Sequence, residues 1–239
     1  PLYQTSTFAF ESCQQGADRF AGVADGYIYT RMGNPTVGRL EEAVSTLEGG
    51  FGGLATGSGM AALCTSLFAL LSAGEHMVGT SSVYGPSRVV VERDFSRFGV
   101  QSTFVDTSDL DAVRAALRPN TKLLFVETPA NPTIVLSDLA ALAEIAHAHG
   151  ALLMVDNTFA SPILQRPIEH GADVVMHSMT KFLNGHTDVV AGMIVPATEA
   201  LFRKMRSVHI YLGACVDPHQ AWLALRGMKT LAMRVRTAQ

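Results

Sequence analysis

Three runs of uninterrupted apolar residues, within Lys122–Glu127, Ala151–Asp156 and Asp173–His177, constrain the fold of this chain more than any other feature. A strand with one wet face alternates apolar and polar residues. These runs do not, so both of their faces must be covered. Helix-patterned stretches lie between them, and that alternation predicts an α/β fold built on a mostly parallel, doubly wound sheet. Further strands are expected at Gly53–Thr56, His76–Thr80, Gln101–Val105 and Val189–Val195. Helices are expected at Pro35–Leu47, Gly59–Leu71, Ser87–Phe98, Leu110–Leu117, Ser137–Ala148, Ala197–Arg206 and Pro218–Leu231. Ser137 would cap its helix and Gly150 would stop it. Residues 1 to about 35 are polar and Gly-rich, and read as an extended arm.

Apolar residues make up 48% of the chain and charged ones 16%, the composition of a compact globular protein. The formal net charge is −3 and no basic stripe is visible, which argues against nucleic acid or a membrane surface as the main partner. Cys13, Cys64 and Cys215 form neither a disulfide framework nor a zinc spacing, and Cys64 falls in an apolar helix pattern expected in the core. The histidines show no metal motif. A reducing cytoplasm is the compartment expected. The chain begins at Pro1 and runs in a helical pattern to Gln239, so a fragment of a longer protein is expected.

In doubly wound sheets, ligands bind at the carboxyl ends of the strands. Gly57-Ser58-Gly59, Tyr84, Asn131, Asp156 and Lys181 all follow expected strand ends and can converge there. The run ending His177-Ser178-Met179-Thr180-Lys181 brings a lysine to the mouth of the sheet beside two hydroxyls. Apolar neighbours at Met179 and Phe182 suggest that Lys181 is buried, which would favour the neutral, nucleophilic amine. Asp156 ends a second apolar strand. A lysine to form an imine, an acid for a ring nitrogen and hydroxyls for a phosphate are what pyridoxal phosphate requires. Tyr84 could stack on such a ring and protonate a leaving group. Thr56-Gly57-Ser58-Gly59-Met60-Ala61-Ala62 joins a strand to a helix whose N-terminus can seat an anion. It also fits a dinucleotide fingerprint, but that reading needs an acid at the end of the next strand, where Thr80, Ser81 and Ser82 stand instead. Tyr29 and Arg31 lie in the expected arm, and an arginine there could grip a phosphate.

Five phrases make a pattern: Tyr27-Ile28-Tyr29-Thr30-Arg31-Met32-Gly33-Asn34-Pro35-Thr36, Ala55-Thr56-Gly57-Ser58-Gly59-Met60, Glu127-Thr128-Pro129-Ala130-Asn131-Pro132, Val155-Asp156-Asn157-Thr158 and His177-Ser178-Met179-Thr180-Lys181. In these the chain resembles the pyridoxal-phosphate enzymes of Cys/Met metabolism, the trans-sulfuration group, over its whole length. The phrases around Tyr27 and Glu127 resemble the methionine gamma-lyases most.

The resemblance implies an aspartate-aminotransferase-like large domain (PLP fold type I) over residues 35–239, an N-terminal arm segment over 1–34, and a C-terminal domain that this chain lacks. It makes Lys181 the Schiff-base residue and Asp156 the partner of the ring nitrogen. Tyr84 would stack on the ring, with Asn131 near its hydroxyl. Ser58, Gly59, Met60, Ser178 and Thr180 would hold the phosphate, and Tyr29 and Arg31 would reach the phosphate of a neighbouring subunit. An obligate homodimer pairing into a homotetramer follows. The implied activity is carbon–sulfur cleavage at the γ-carbon of a sulfur amino acid, giving 2-oxobutanoate, ammonia and a thiol. The alternatives are γ-replacement, as in O-acylhomoserine sulfhydrylases or cystathionine gamma-synthases, and a non-catalytic cofactor-binding fragment. Two departures bear on substrate choice. Pro86 stands where methionine gamma-lyases commonly carry a cysteine, and Ile210-Tyr211 where they often carry a Lys-Asp pair.

Overall fold

A computed structural model of the chain describes residues 1–238. Its centre is a seven-stranded sheet of order β1-β7-β6-β5-β4-β2-β3. The strands are β1 (Leu54–Thr56), β2 (His76–Thr80), β3 (Gln101–Val105), β4 (Thr121–Glu127), β5 (Leu152–Asp156), β6 (Val174–Ser178) and β7 (Gly192–Pro196). The neighbours β3, β2, β4, β5 and β6 pair in parallel, and β7 runs antiparallel to both β6 and β1. The carboxyl ends of β1, β2, β4, β5 and β6 therefore lie along one edge, together with the start of β7.

Among the described residues, ten α-helices accompany the sheet: α1 (Cys13–Phe20), α2 (Pro35–Glu48), α3 (Gly59–Leu70), α4 (Gly85–Val89), α5 (Leu110–Ala116), α6 (Leu139–Ala148), α7 (Ser161–Leu164), α8 (Glu199–Leu212), α9 (Pro218–Met228) and α10 (Leu231–Ala238). Successive strand residues point to opposite faces, and both faces are filled. Leu124, Val126, Leu153, Val155 and Val175 pack against α2, α6 and α9. Leu123, Phe125, Met154, Val174 and Ile194 pack against α3 and α8. This two-sided burial explains the uninterrupted apolar runs. Each fully buried side chain of this kind contributes about 1.5–3 kcal/mol.

Several expectations are corrected. The segment before α2 is largely exposed but not simply extended. It contains α1, capped by the Ser12 hydroxyl, which accepts the Gln15 amide. Asp138, not Ser137, caps α6. Ser137 is engaged elsewhere: its hydroxyl bonds that of Thr107 at 2.8 Å and its amide donates to the Thr128 hydroxyl at 3.0 Å. The helix expected from Ser87 starts at Gly85, where Pro86 suits a first turn, and continues through a wide π turn and a 3-10 turn to Gly99 at φ 80°. Helix α8 runs past Arg206 to Leu212, stopped by Gly213 at φ 70°. The helix expected over Pro218–Leu231 breaks after Met228, because the Gly227 carbonyl is taken by the Thr230 hydroxyl and the Arg234 guanidinium. Strand β7 begins only at Gly192, since Ala191 bonds the Met179 amide and the Thr180 hydroxyl. Cys64, expected in the core, is half-buried and packs against it.

Candidate active site

A cavity of about 230 Å³ opens at the carboxyl edge of the sheet. Its lining includes Ser58, Gly59, Met60, Tyr84, Asn131, Asp156, Ser178, Thr180 and Lys181, so nine of the eleven sequence-expected site residues meet there. Lys122, Lys204 and Lys229, the other lysines of the chain, do not line it. Tyr29 and Arg31 lie elsewhere. They border a separate groove with Gln4, Thr30, Cys215 and Asp217. There the Arg31 guanidinium stacks 5.5 Å from the Tyr29 ring centre and donates to the Ile210 carbonyl at 2.7 Å.

The anion seat is built by close approach. The Ser58 hydroxyl accepts the Ala61 amide at 3.0 Å and caps α3. Gly59 and Met60 line the cavity, and their amides belong to the first turn, which no carbonyl of the helix reaches. A Cβ on Gly59 would lie 2.8 Å from the Ser178 Cβ, so only glycine lets α3 start this close to the end of β6. The Ser178 hydroxyl makes no hydrogen bond among the described residues, whereas that of Thr180 is shared with the Ala191 main chain.

Asp156 ends β5 and is 8% exposed. One of its oxygens, Oδ1, accepts the Thr158 hydroxyl at 2.5 Å and the Thr158 amide at 3.0 Å. The same hydroxyl accepts the Ser178 amide at 2.8 Å, tying the ends of β5 and β6 together. Burial raises the affinity of Asp156 for a proton, opposed by the Thr158 bonds and the nearby charge of His177. The second oxygen, Oδ2, accepts no hydrogen bond from the described residues. A buried carboxylate with one free oxygen in a cavity wall is suited to a cationic N–H donor.

Behind this wall, and turned away from the cavity, lies a second polar group. His177 Nε2 meets Glu48 Oε1 at 2.6 Å with both side chains fully buried. The Asn157 amide donates to the same oxygen at 2.8 Å, and Gln165 joins Asn157 to the Thr128 carbonyl.

Lys181 was expected to be buried. It is exposed at the cavity, although Leu183 and Asn184 just after it are buried. Six lining residues lie outside the expected set (Ser87, Glu127, Thr158, Phe159, Met176 and Val190), and two of these hold other parts of the wall. Thr158 is the hydroxyl that holds Asp156. Glu127 ends β4, is 6% exposed, and accepts the Tyr84 amide at 2.7 Å and the Asn131 amide at 3.0 Å. Burial, then the charge of Asp156, pushes its carboxyl from 4.5 up to about 7. The signal for both lay in the sequence: Glu127 ends an apolar run as Asp156 does, and Thr158 follows Asp156 at the spacing of a local Asx turn.

The geometry fits a cofactor with an anionic group, a basic ring nitrogen and a carbonyl for an amine, since the helix start, the free carboxylate oxygen and the lysine share one cavity. Known proteins point the same way. The family model described as Cys/Met metabolism PLP-dependent enzyme matches residues 1–239. An L-methionine gamma-lyase of Porphyromonas gingivalis is 46% identical over 237 residues, covering 98% of this chain and 59% of that protein. An O-succinylhomoserine sulfhydrylase of Pseudomonas aeruginosa is 44% identical, covering 98% and 58%. The solved structure of a cystathionine gamma-lyase from Lactobacillus plantarum complexed with L-serine superposes with a TM-score of 0.90 at 41% identity, over 98% of this chain and 58% of that one. The chain thus spans less than two thirds of the length of the curated relatives it matches.

Proposed function

This chain belongs to the Cys/Met metabolism PLP-dependent enzymes, and from that premise we propose that the whole protein cleaves a carbon–sulfur bond at the γ-carbon of a sulfur amino acid, in the manner of a methionine gamma-lyase. The products would be 2-oxobutanoate, ammonia and a thiol. One observation carries the proposal: Lys181 is the lysine of a cavity that also holds Asp156, Tyr84 and the start of α3. Residues 35–239 are taken as the cofactor-binding large domain and residues 1–34 as an arm segment.

Pyridoxal phosphate, when bound, supplies an electron sink for charge developing at the substrate α-carbon. Lys181 would hold the cofactor through its Nζ, and that amine, when free, would take the substrate α-proton. Asp156 would hold the ring nitrogen's proton at Oδ2. The amides of Gly59 and Met60, the hydroxyls of Ser58, Ser178 and Thr180, and the α3 dipole would hold the phosphate. Asn131 would face the ring hydroxyl. Tyr84 would lie on the ring and give a proton to the departing sulfur. Tyr29 and Arg31, remote from Lys181 in their own chain, would complete the site of a second copy in a homodimer, and two such dimers would pair into a tetramer. A cytoplasmic compartment agrees with this chemistry, and no described helix is long and apolar enough to cross a membrane.

Two observations favour γ-replacement as a second reading: the 44% identity to a sulfhydrylase, and Pro86 beside Tyr84. Full-length protein loaded with cofactor separates the two. Release of 2-oxo acid and ammonia from L-methionine without added thiol supports the lyase. Turnover of an O-acylhomoserine only with sulfide or cysteine supports replacement. Bound cofactor with neither activity would overturn both.

A further inference from the structure

We propose that Glu127 is a positioning residue of this site: its two carboxylate oxygens fix the main chain at Tyr84 and at Asn131, so one side chain sets two walls of the cavity. The inference rests on the pyridoxal-phosphate reading above and adds a residue to it.

Oε2 accepts the amide of Tyr84, 43 residues away in sequence, and Oε1 accepts that of Asn131 in the loop after β4. Neither the Tyr84 hydroxyl nor the Asn131 side chain forms a hydrogen bond among the described residues. Helix α4, which starts after Tyr84, has no side-chain cap. The aromatic ring and the amide group that face the cavity are therefore placed through their main chains, and Glu127 binds both.

The need for a carboxylate follows from hydrogen-bond capacity. Two backbone amides approach two different oxygens. A carboxylate offers two acceptors, whereas glutamine offers one acceptor and turns a second donor toward an amide. An apolar residue would leave both amides unpaired. Keeping an acid here is costly, because the site is buried and Glu127 is the register partner of Asp156. A residue retained against that cost, at the point where the two loops meet, is suited to holding them at the spacing a ring requires.

The test uses full-length protein and the variants Glu127→Gln and Glu127→Asp. It reads the dissociation constant for pyridoxal phosphate, the circular dichroism of the bound cofactor, and hydrogen exchange at the amides of residues 84 and 131. Glu127→Gln should weaken cofactor binding about tenfold, the equivalent of one lost buried hydrogen bond. It should also change the dichroism and speed exchange at one or both amides. Glu127→Asp should recover part of each effect, since both acceptors return. Wild-type values for affinity, dichroism and exchange in Glu127→Gln would overturn the proposal. Should that variant not fold, fast exchange at either amide in the wild-type protein would overturn it equally, and slow exchange at both would support it. A wild-type protein that binds no pyridoxal phosphate would remove the cofactor reading, while the exchange measurement would still decide whether Glu127 fixes the two loops.

Discussion

Glu127 and Asp156 are register partners at the ends of β4 and β5, and the charge of Asp156 helps to push the Glu127 carboxyl up to about 7. Two buried acids are thus held side by side at the edge of the sheet where Lys181 stands. Such an arrangement is costly in the cofactor-free chain and is relieved by a cation placed against Asp156.

The first prediction concerns pH. A folded-state value above the unfolded one means that the folded chain binds the extra proton. The stabilisation from Glu127 is therefore fully present below about 4.5 and lost as pH rises through about 7. Denaturant melts of cofactor-free protein between pH 5 and 8 should show wild type losing about 1–3 kcal/mol relative to Glu127→Gln. Parallel pH profiles for the two proteins would contradict the assignment.

Replacing Asp156 by asparagine should weaken pyridoxal phosphate binding by at least about a hundredfold, because the buried partner of the ring proton is lost. Turnover should fall further than affinity, since a neutral ring is a poorer electron sink. Equilibrium dialysis and initial rates check both, and an unchanged dissociation constant would remove Asp156 from the cofactor.

Thr158→Val keeps the volume but removes the hydroxyl between the Ser178 amide and Asp156 Oδ1. The expected loss is about 1–3 kcal/mol, with Thr158→Ser close to wild type. Thermal melts of the three proteins would show it. Equal midpoints for Val and Ser would mean that the hydroxyl relay contributes nothing.

Between His177 and Glu48 the two side chains are fully buried and paired. His177→Leu should destabilise by about 3–5 kcal/mol, because Glu48 is left buried without its partner, whereas the double variant with Glu48→Met should recover most of that loss. A double-mutant cycle with no coupling between the two positions would contradict the pairing.

Much of this was legible in the sequence, and what escaped did so for physical reasons. The runs at Leu123–Val126 and Leu153–Val155 announced strands covered on both sides, and the residues following strand ends announced the cavity. Asp156 and Lys181 were legible because strand ends and turns are local features. Glu127 ends an apolar run in the same way, but its role was not legible, because it works through backbone amides that only the folded chain brings to it. Ser137 and Asp138 are both competent caps, and the choice fell to Asp138 because Thr107 and Thr128, distant in sequence, occupy Ser137. Helix α1 was missed since it is only eight residues long and mostly polar, and buries just Gly16. The exposure of Lys181 follows from its place at the mouth of the cavity, which the apolar neighbours Met179 and Phe182 do not fix.

The central claim is that Lys181 carries the cofactor. Full-length protein loaded with pyridoxal phosphate, reduced with borohydride, digested and analysed by mass spectrometry tests it directly. The account predicts a pyridoxyl group on the peptide containing Lys181 and no such label in the Lys181→Ala protein. A label on Lys122, Lys204 or Lys229 instead, or none in wild type, would contradict it.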